Sequence, residues 1–183
     1  YRYGCYESNE KSGGRRCYDR VNLYKFVYNK QGYGGGDGMK LVIASDHGGF
    51  RLKEEVKAHL TEKGIEFTDY GTHTPERCDY PLIAEKAARA VADGTFDKGI
   101  LVCGTGIGIG IAANKIHGIR AALCGDTYSA EFARRHNDAN ILTLGERVIG
   151  PGLAKAIVDV FLSTGFDGGR HEIRVNMIKE LDK

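Results

Sequence analysis

Short apolar runs of strand length alternate with longer stretches whose apolar residues recur every three or four positions. In the stretch 50–63, Leu52, Val56 and Leu60 are four residues apart and therefore share one face of a helix. The pattern predicts five strands, at residues 40–45, 65–70, 99–103, 119–124 and 141–144. It predicts helices at residues 50–63, 81–94, 127–135 and 170–181, a short helix ending near residue 115, and a helix that carries the apolar stripe from Leu153 to Phe161.

Strands that alternate with helices form βαβ units, which give a parallel sheet with right-handed crossovers. The strand at 99–103 is apolar throughout, as expected of a strand that is covered on both faces. We therefore predict an α/β fold, a three-layer doubly wound sandwich around a five-stranded parallel sheet of the Rossmann or flavodoxin-like type. Because the sequence after residue 39 contains no repeat and no linker, residues 39–183 are predicted to form one domain.

The composition excludes several classes of protein. Of the 183 residues, 42% are hydrophobic and 27% are charged, which is the balance of a globular protein. The formal net charge of +2 is too small to predict a nucleic-acid partner, and we expect none. We expect no membrane association either, because the apolar runs are strand-sized and no signal-peptide pattern is present. Five cysteines without a metal-binding spacing predict free thiols in the reducing cytoplasm.

Residues 1–38 differ in composition from the rest of the chain. They hold seven of the ten tyrosines and eight of the 26 glycines, and they contain seven basic but only four acidic residues. We predict that they are an N-terminal extension outside the domain, either an artificial leader or a mistranslated upstream segment, with Met39 as the natural start. The alternative is an arm of tyrosine and arginine that stacks on single-stranded RNA.

The loop after the third predicted strand is the richest candidate for chemistry, since ligands of doubly wound sheets bind outside the carboxyl ends of the strands. Cys103 ends this strand and precedes alternating glycines that open a helix, a position that favours the thiolate. The glycines allow several backbone amides to point into one cavity, where they can hold an oxyanion or a phosphate. The alternative is a buried structural cysteine before a tight turn.

Charged residues supply the other candidates. Asp46 and His47 directly follow the first strand, and His136 follows the helix at 127–135. Arg170 and Arg174 are four residues apart and share a helix face, where an anion between them would convert their repulsion into binding. Simpler interpretations stay open. Asp46 could be a helix N-cap, His136 a cation at a helix C-terminus, and the two arginines solvated charges.

Six strings of the sequence are together typical of one enzyme family. They are SDHGGF at 45–50, DYP at 79–81, CGTGIG at 103–108 with IAANK at 111–115, GIRA at 118–121, HNDAN at 136–140, and GGRH at 168–171 with Arg174. Taken together, they closely resemble the ribose-5-phosphate isomerase B family, which also includes isomerases of allose 6-phosphate and galactose 6-phosphate. The resemblance extends through residues 39–183.

This resemblance implies an aldose–ketose isomerase that interconverts ribose 5-phosphate and ribulose 5-phosphate, a step of the pentose phosphate pathway, without a metal or an organic cofactor. It implies that Cys103 is the base that moves a proton between C2 and C1, that His136 helps to open the furanose ring, and that Thr105 helps the glycine-loop amides to hold the enediolate. The substrate-binding residues that it implies are Asp46, His47, Gly104, Gly106, Ile107, Gly108, Asn137, Arg147, Arg170 and Arg174.

The resemblance also implies a homodimer or tetramer in which the site is shared between subunits. We expect every role to have a residue at the carboxyl edge of the sheet. Two other functions stay open. An isomerase of the same mechanism could act on a hexose 6-phosphate. A non-catalytic nucleotide-binding module would use Asp126, about 20 residues after Gly106, as a ribose-binding acid, but the glycine spacing fits neither the dinucleotide fingerprint nor a Walker loop.

Overall fold

The structure, a computed structural model, describes residues 38–182. Its strands are β1 (Leu41–Ser45), β2 (Thr68–Asp69), β3 (Lys98–Cys103), β4 (Ala121–Leu123) and β5 (Ile141–Gly145). Its helices are α1 (Phe50–Glu62), α2 (Tyr80–Ala92), α3 (Ile107–Ala113), α4 (Thr127–Asn137), α5 (Pro151–Ser163) and α6 (Arg170–Glu180). The prediction that residues 1–38 are an extension lies, apart from Gly38, outside the described residues.

The five strands form one parallel sheet in the order β2-β1-β3-β5-β4. The predicted α/β class and the five-stranded parallel sheet are therefore confirmed. The last two strands are exchanged relative to the flavodoxin order, in which the fifth strand lies at the edge. As a result β5 pairs with β3, and Gly145 lies opposite Cys103 in the ladder. The loops that follow these two strands are thereby neighbours at the carboxyl edge.

Helices cover both faces of the sheet, as the predicted three layers require. Leu41 and Ile43 of β1 face a core that includes buried residues of α1, α4 and α5. The alternate residues Val42 and Ala44 face a second core with buried residues of α2 and α3. Because successive side chains of a strand point to opposite faces, the apolar run of β1 is explained by burial on both sides.

The predicted strands at 65–70 and 119–124 are shorter in the structure, and the short helix predicted to end near residue 115 ends at Ala113. At the edge of the sheet, β2 pairs with β1 through only two residues, because the preceding Ile65 donates its amide hydrogen to Leu60 at the end of α1 instead. Strand β4 begins only at Ala121, whose amide and carbonyl both bond the side chain of Asn114, at 2.8 and 2.9 Å. Asn114 thus ends α3 and supports the edge strand.

No helix among residues 38–182 is both long and apolar enough to cross a membrane.

Candidate active site

Cys103 lies at the end of β3 and is only 5% exposed. Its Sγ accepts a hydrogen bond of 3.1 Å from the amide of Gly106, the residue that precedes α3. Gly106 has a φ of +78°, and a Cβ on it would lie 2.5 Å from Leu123 Cδ1. Only glycine permits this turn, and the turn is what brings an amide donor onto the sulfur.

Two further backbone amides of the same loop are available to a ligand. Within residues 38–182, the amides of Gly104 and Thr105 donate no hydrogen bond to the protein. The amide of Gly106 donates to Cys103 Sγ, and the amide of Ile107 donates to Thr105 Oγ1 at 3.3 Å, so neither is available. Two unpaired amides beside a buried thiol can stabilise an oxygen that becomes negative next to a proton-transfer step.

The loop after β1 packs directly against the cysteine loop. A Cβ on Gly48 would lie 3.2 Å from the Gly104 amide nitrogen, so the two loops are in contact. Asp46 is 6% exposed, and its carboxylate accepts the Gly49 amide hydrogen at 3.1 Å. Burial raises the pKa of Asp46, while His47 and Arg147 act in the opposite direction. Asp46 is therefore not the N-cap of α1, which is Gly49, but its carboxylate does lie beside the cysteine loop.

His47 is held by the loop that leads into α2. Its Nδ1 lies 3.1 Å from the carbonyl oxygen of Cys78 and 3.3 Å from the Cys78 amide nitrogen. Both contacts involve Nδ1, so the other ring nitrogen, Nε2, takes part in neither. His47 is thus fixed in orientation next to Asp46, as a substrate-binding residue requires.

Arg147 reaches the same place from the loop after β5. Its amide donates to the Gly104 carbonyl at 3.0 Å, and its guanidinium lies 3.4 Å from the point where a Gly104 Cβ would be. The preceding residue, Glu146, donates its amide hydrogen to Cys103 O and accepts the Leu52 amide hydrogen at 2.9 Å. The exchange of β4 and β5 therefore brings the predicted Arg147 to the cysteine loop.

Tyr80 is a further candidate that the sequence analysis did not single out. A Cβ on Gly108 would lie 2.8 Å from Tyr80 Cζ, so the tyrosine ring covers the first turn of α3. The ring is partly exposed at the start of α2. The DYP string at 79–81, beside a predicted helix start, contains Tyr80 and could have indicated it. That string supported the family resemblance but was not considered as part of the site.

A second group of predicted residues surrounds the end of α4. The imidazoles of His136 and His171 are stacked, with 3.9 Å between ring centroids and 9° between ring planes. Arg170 Nε donates to His171 Nε2 at 3.3 Å, and Arg174 follows one turn later on α6. Asn137 is the exposed last residue of α4, and its carbonyl accepts a hydrogen bond from Arg120.

These two groups lie at opposite edges of the sheet. After β4, α4 runs back to the amino edge, where the Asn140 carbonyl accepts the Gly99 amide hydrogen at the start of β3. Cys103 is four residues further along β3, about 13 Å away at the rise of a parallel strand. The expectation that every role lies at the carboxyl edge is therefore wrong for His136, Asn137, Arg170 and Arg174. A helix that follows a parallel strand must return, so its last residues lie at the other edge.

The ligand atoms of His136, Asp167 and His171 lie within 4.8 Å of one another, close enough to hold a metal ion. The carboxylate of Asp167 is already bonded to Arg135, at 3.1 and 3.2 Å. Burial lowers the pKa of His171, and His136, Arg170 and Arg174 lower it further. Because the carboxylate is neutralised and cations surround the pair of rings, the group fits an anion such as a phosphate better than a divalent cation.

Known proteins resemble this chain both in sequence and in fold. The sequence profile of a family described as Ribose/Galactose Isomerase matches residues 41–178. The chain is 52% identical, over 144 residues, to ribose-5-phosphate isomerase B of Escherichia coli strain K12, which covers 79% of this chain and 97% of that protein. The solved structure of Clostridium thermocellum ribose-5-phosphate isomerase B superimposes with a TM-score of 0.77 at 54% identity, covering 79% of this chain and 97% of the other.

Other similar proteins are named for different substrates. A D-erythrulose-4-phosphate isomerase of Pectobacterium atrosepticum is 45% identical over 141 residues, covering 76% of this chain and 93% of that protein. A 4-deoxy-4-sulfo-D-erythrose isomerase of a Clostridium species is 48% identical over 143 residues, covering 77% and 89%. Both names describe isomerases of short anionic sugars, so similarity at this level does not specify the length of the sugar.

Proposed function

The chain belongs to the ribose/galactose isomerase family, and we propose that it interconverts D-ribose 5-phosphate and D-ribulose 5-phosphate through an enediolate, without a cofactor. The observation that carries the proposal is the buried Cys103 thiol at the carboxyl edge, which accepts a hydrogen bond from one amide and is flanked by two amides that have no partner within residues 38–182. An aldose–ketose shift needs this combination of a base and oxyanion donors.

In the proposed reaction the Cys103 thiolate removes the proton from C2 of the open-chain aldose. The electron pair moves toward the carbonyl, and the negative oxygen of the enediolate is stabilised by the amides of Gly104 and Thr105. The same sulfur then returns the proton to C1, while a hydroxyl proton passes from O2 to O1 and completes the ketose. Removing one donor of this kind typically costs about 2.7–4 kcal/mol of transition-state stabilisation.

Ring opening and phosphate binding use the second group of residues in this proposal. His136 donates a proton to the ring oxygen O4 as the C1–O4 bond breaks, and the O1 hydroxyl proton is lost to solvent as C1 becomes the aldehyde. Arg170 and Arg174 hold the phosphate in this proposal. Because this group lies at the opposite edge from Cys103 of the same chain, the proposed site is completed by a second copy. A two-fold axis that places one edge against the other creates two equivalent sites.

Exposed apolar side chains support such an assembly. Ile107 and Leu123 lie beside the cysteine turn, and both are exposed. Ile173 and Met177 are exposed on α6, the helix that carries Arg174. Exposed apolar clusters of this kind mark interaction surfaces. We propose a homodimer, alone or as half of a tetramer.

The free thiols of the described residues favour one cellular compartment for the enzyme. The three described cysteines, Cys78, Cys103 and Cys124, are all unpaired. A base that functions as a thiolate needs a reducing environment, so we propose that the enzyme acts in the cytoplasm.

The substrate is tested with the full-length chain on ribose 5-phosphate, allose 6-phosphate and erythrulose 4-phosphate in parallel. We expect the highest kcat/KM on the pentose phosphate. Turnover confined to the hexose or the tetrose phosphate would contradict the proposed substrate and keep the mechanism. No turnover of any of the three by folded protein would contradict the proposed function itself.

Arg174→Ala is expected to raise KM for ribose 5-phosphate while kcat changes little. The phosphate does not react, so its binding is common to the ground and transition states. A hydrogen bond to a charged group contributes about 1.5–3 kcal/mol, which corresponds to an increase in KM of roughly ten- to a hundredfold. Lys179→Ala on the same helix is the matched control and should leave KM unchanged. Steady-state kinetics in which the two variants behave alike would remove Arg174 from the site.

A further inference from the structure

We propose that His171 is a positioning residue that holds the acid–base imidazole of His136 and the phosphate-binding Arg170 as one rigid unit. This inference rests on the proposed function. His171 is only 8% exposed, and it is the residue that joins the two, since one face of its ring stacks on His136 and its Nε2 accepts from Arg170. Ring opening and phosphate binding are thereby coupled through one side chain.

The contact with Arg170 determines the chemical form of His171. An arginine Nε always carries a hydrogen, so the nitrogen that faces it must offer a lone pair. His171 Nε2 is therefore unprotonated, and the imidazole is neutral with its hydrogen on Nδ1. The surroundings favour this form, because burial, His136, Arg170 and Arg174 all lower the pKa of His171.

The groups that face this pair come from three elements. On α4 they are His136 itself and Arg135, and on α6 they are Arg170 and Arg174. Between α5 and α6, Asp167 acts to raise the pKa of His171, but its carboxylate is shared with Arg135. The charged groups around His171 are therefore mostly cationic.

A neutral His171 avoids charge repulsion within the stacked pair. Two imidazolium rings 3.9 Å apart would repel strongly in this partly buried place. The ring of His136 also packs against Phe132 in a T-shaped arrangement, with 4.6 Å between centroids and 70° between planes. His136 is thus fixed in orientation and is the member of the pair that exchanges a proton.

Two substitutions separate the two contacts of His171. His171→Phe keeps a flat ring against His136 and removes the acceptor for Arg170. His171→Gln keeps an acceptor and removes the ring. We expect His171→Phe to raise KM about tenfold with kcat little changed, and His171→Gln to lower kcat about tenfold and shift its pH profile with KM little changed. The exposed His117, changed to Phe and to Gln, is the matched control and should change neither constant.

Equal effects of the two His171 variants on kcat and KM, with the wild-type pH profile, would indicate a merely structural role and overturn the proposal. A direct measurement does not depend on turnover. In ¹⁵N NMR of the full-length protein without substrate at about pH 6.5, where an unperturbed histidine is half protonated, His171 is expected to be mostly neutral with its hydrogen on Nδ1. A hydrogen on Nε2 of His171 at this pH would overturn the proposal. A wild-type chain that does not turn over ribose 5-phosphate would contradict the proposed function instead.

Discussion

Replacement of Cys103 by alanine is expected to lower kcat for ribose 5-phosphate about a thousandfold, within the range found for removal of a general base. The effect on KM should be small. Cys103 is buried at the end of β3, where we propose that it acts on the reacting carbons, whereas the arginines proposed to bind the phosphate lie elsewhere. The methyl side chain of alanine fits the same space, and the loop amides that stabilise the oxyanion stay in place. Steady-state kinetics, with a thermal unfolding curve as a check on folding, measure both effects.

Cys124→Ala is the matched control for the loss of a thiol. Cys124 is also buried and free, and burial raises the pKa of its thiol to about 11, so it stays protonated at neutral pH. Activity of this variant should remain within about twofold of wild type, as for a residue outside the chemistry. If the alanine variants of Cys103 and Cys124 retained similar activity, the thiol would not be the base.

His136→Ala is the second substitution with a large expected effect, a fall of about a hundredfold in kcat for ribose 5-phosphate. In the proposed reaction the sugar binds largely as a furanose, and without an acid–base group at its ring oxygen the opening step is expected to become rate-limiting. Erythrulose 4-phosphate cannot close into a furanose, because its carbonyl is at C2 and closure through O4 would give only a four-membered ring. Relative to wild type, its turnover should therefore fall much less.

His117→Ala serves as the control for His136→Ala, because His117 is an exposed histidine outside both groups. It should leave the rates on both substrates unchanged. An equal loss of activity of the His136 variant on the pentose and the tetrose phosphate would show that His136 does not act in ring opening.

Periodicity and the resemblance were sufficient to predict the layers of this fold and the nature of the cysteine loop. The strand at 99–103 is apolar because both faces are covered, and that property is visible in the residues themselves. The turn at Gly106 was predictable too, since alternating glycines after a strand allow a positive φ. These features depend on neighbouring residues, so the sequence carries them directly.

The relative positions of the site residues depend on pairing between distant segments. Nothing in the alternation of β4, α4 and β5 indicates which strand pairs with β3, yet that choice places Arg147 beside Gly104. The place of Tyr80 against Gly108 likewise depends on how α2 packs on α3. The position of His136 at the amino edge could have been predicted from the sequence, because His136 is at the end of a helix that has to run antiparallel to the strands.

The most direct test of the whole account mixes two inactive variants of the full-length chain, Cys103→Ala and His136→Ala, under conditions that allow subunits to exchange. If each site takes Cys103 from one copy and His136 from the other, a mixed dimer has one intact site of two. Random exchange of equal amounts makes half of the dimers mixed, so isomerisation of ribose 5-phosphate should return to about one quarter of the wild-type rate. A mixture that shows mixed dimers by mass spectrometry but stays at the sum of the two separate rates would contradict the account.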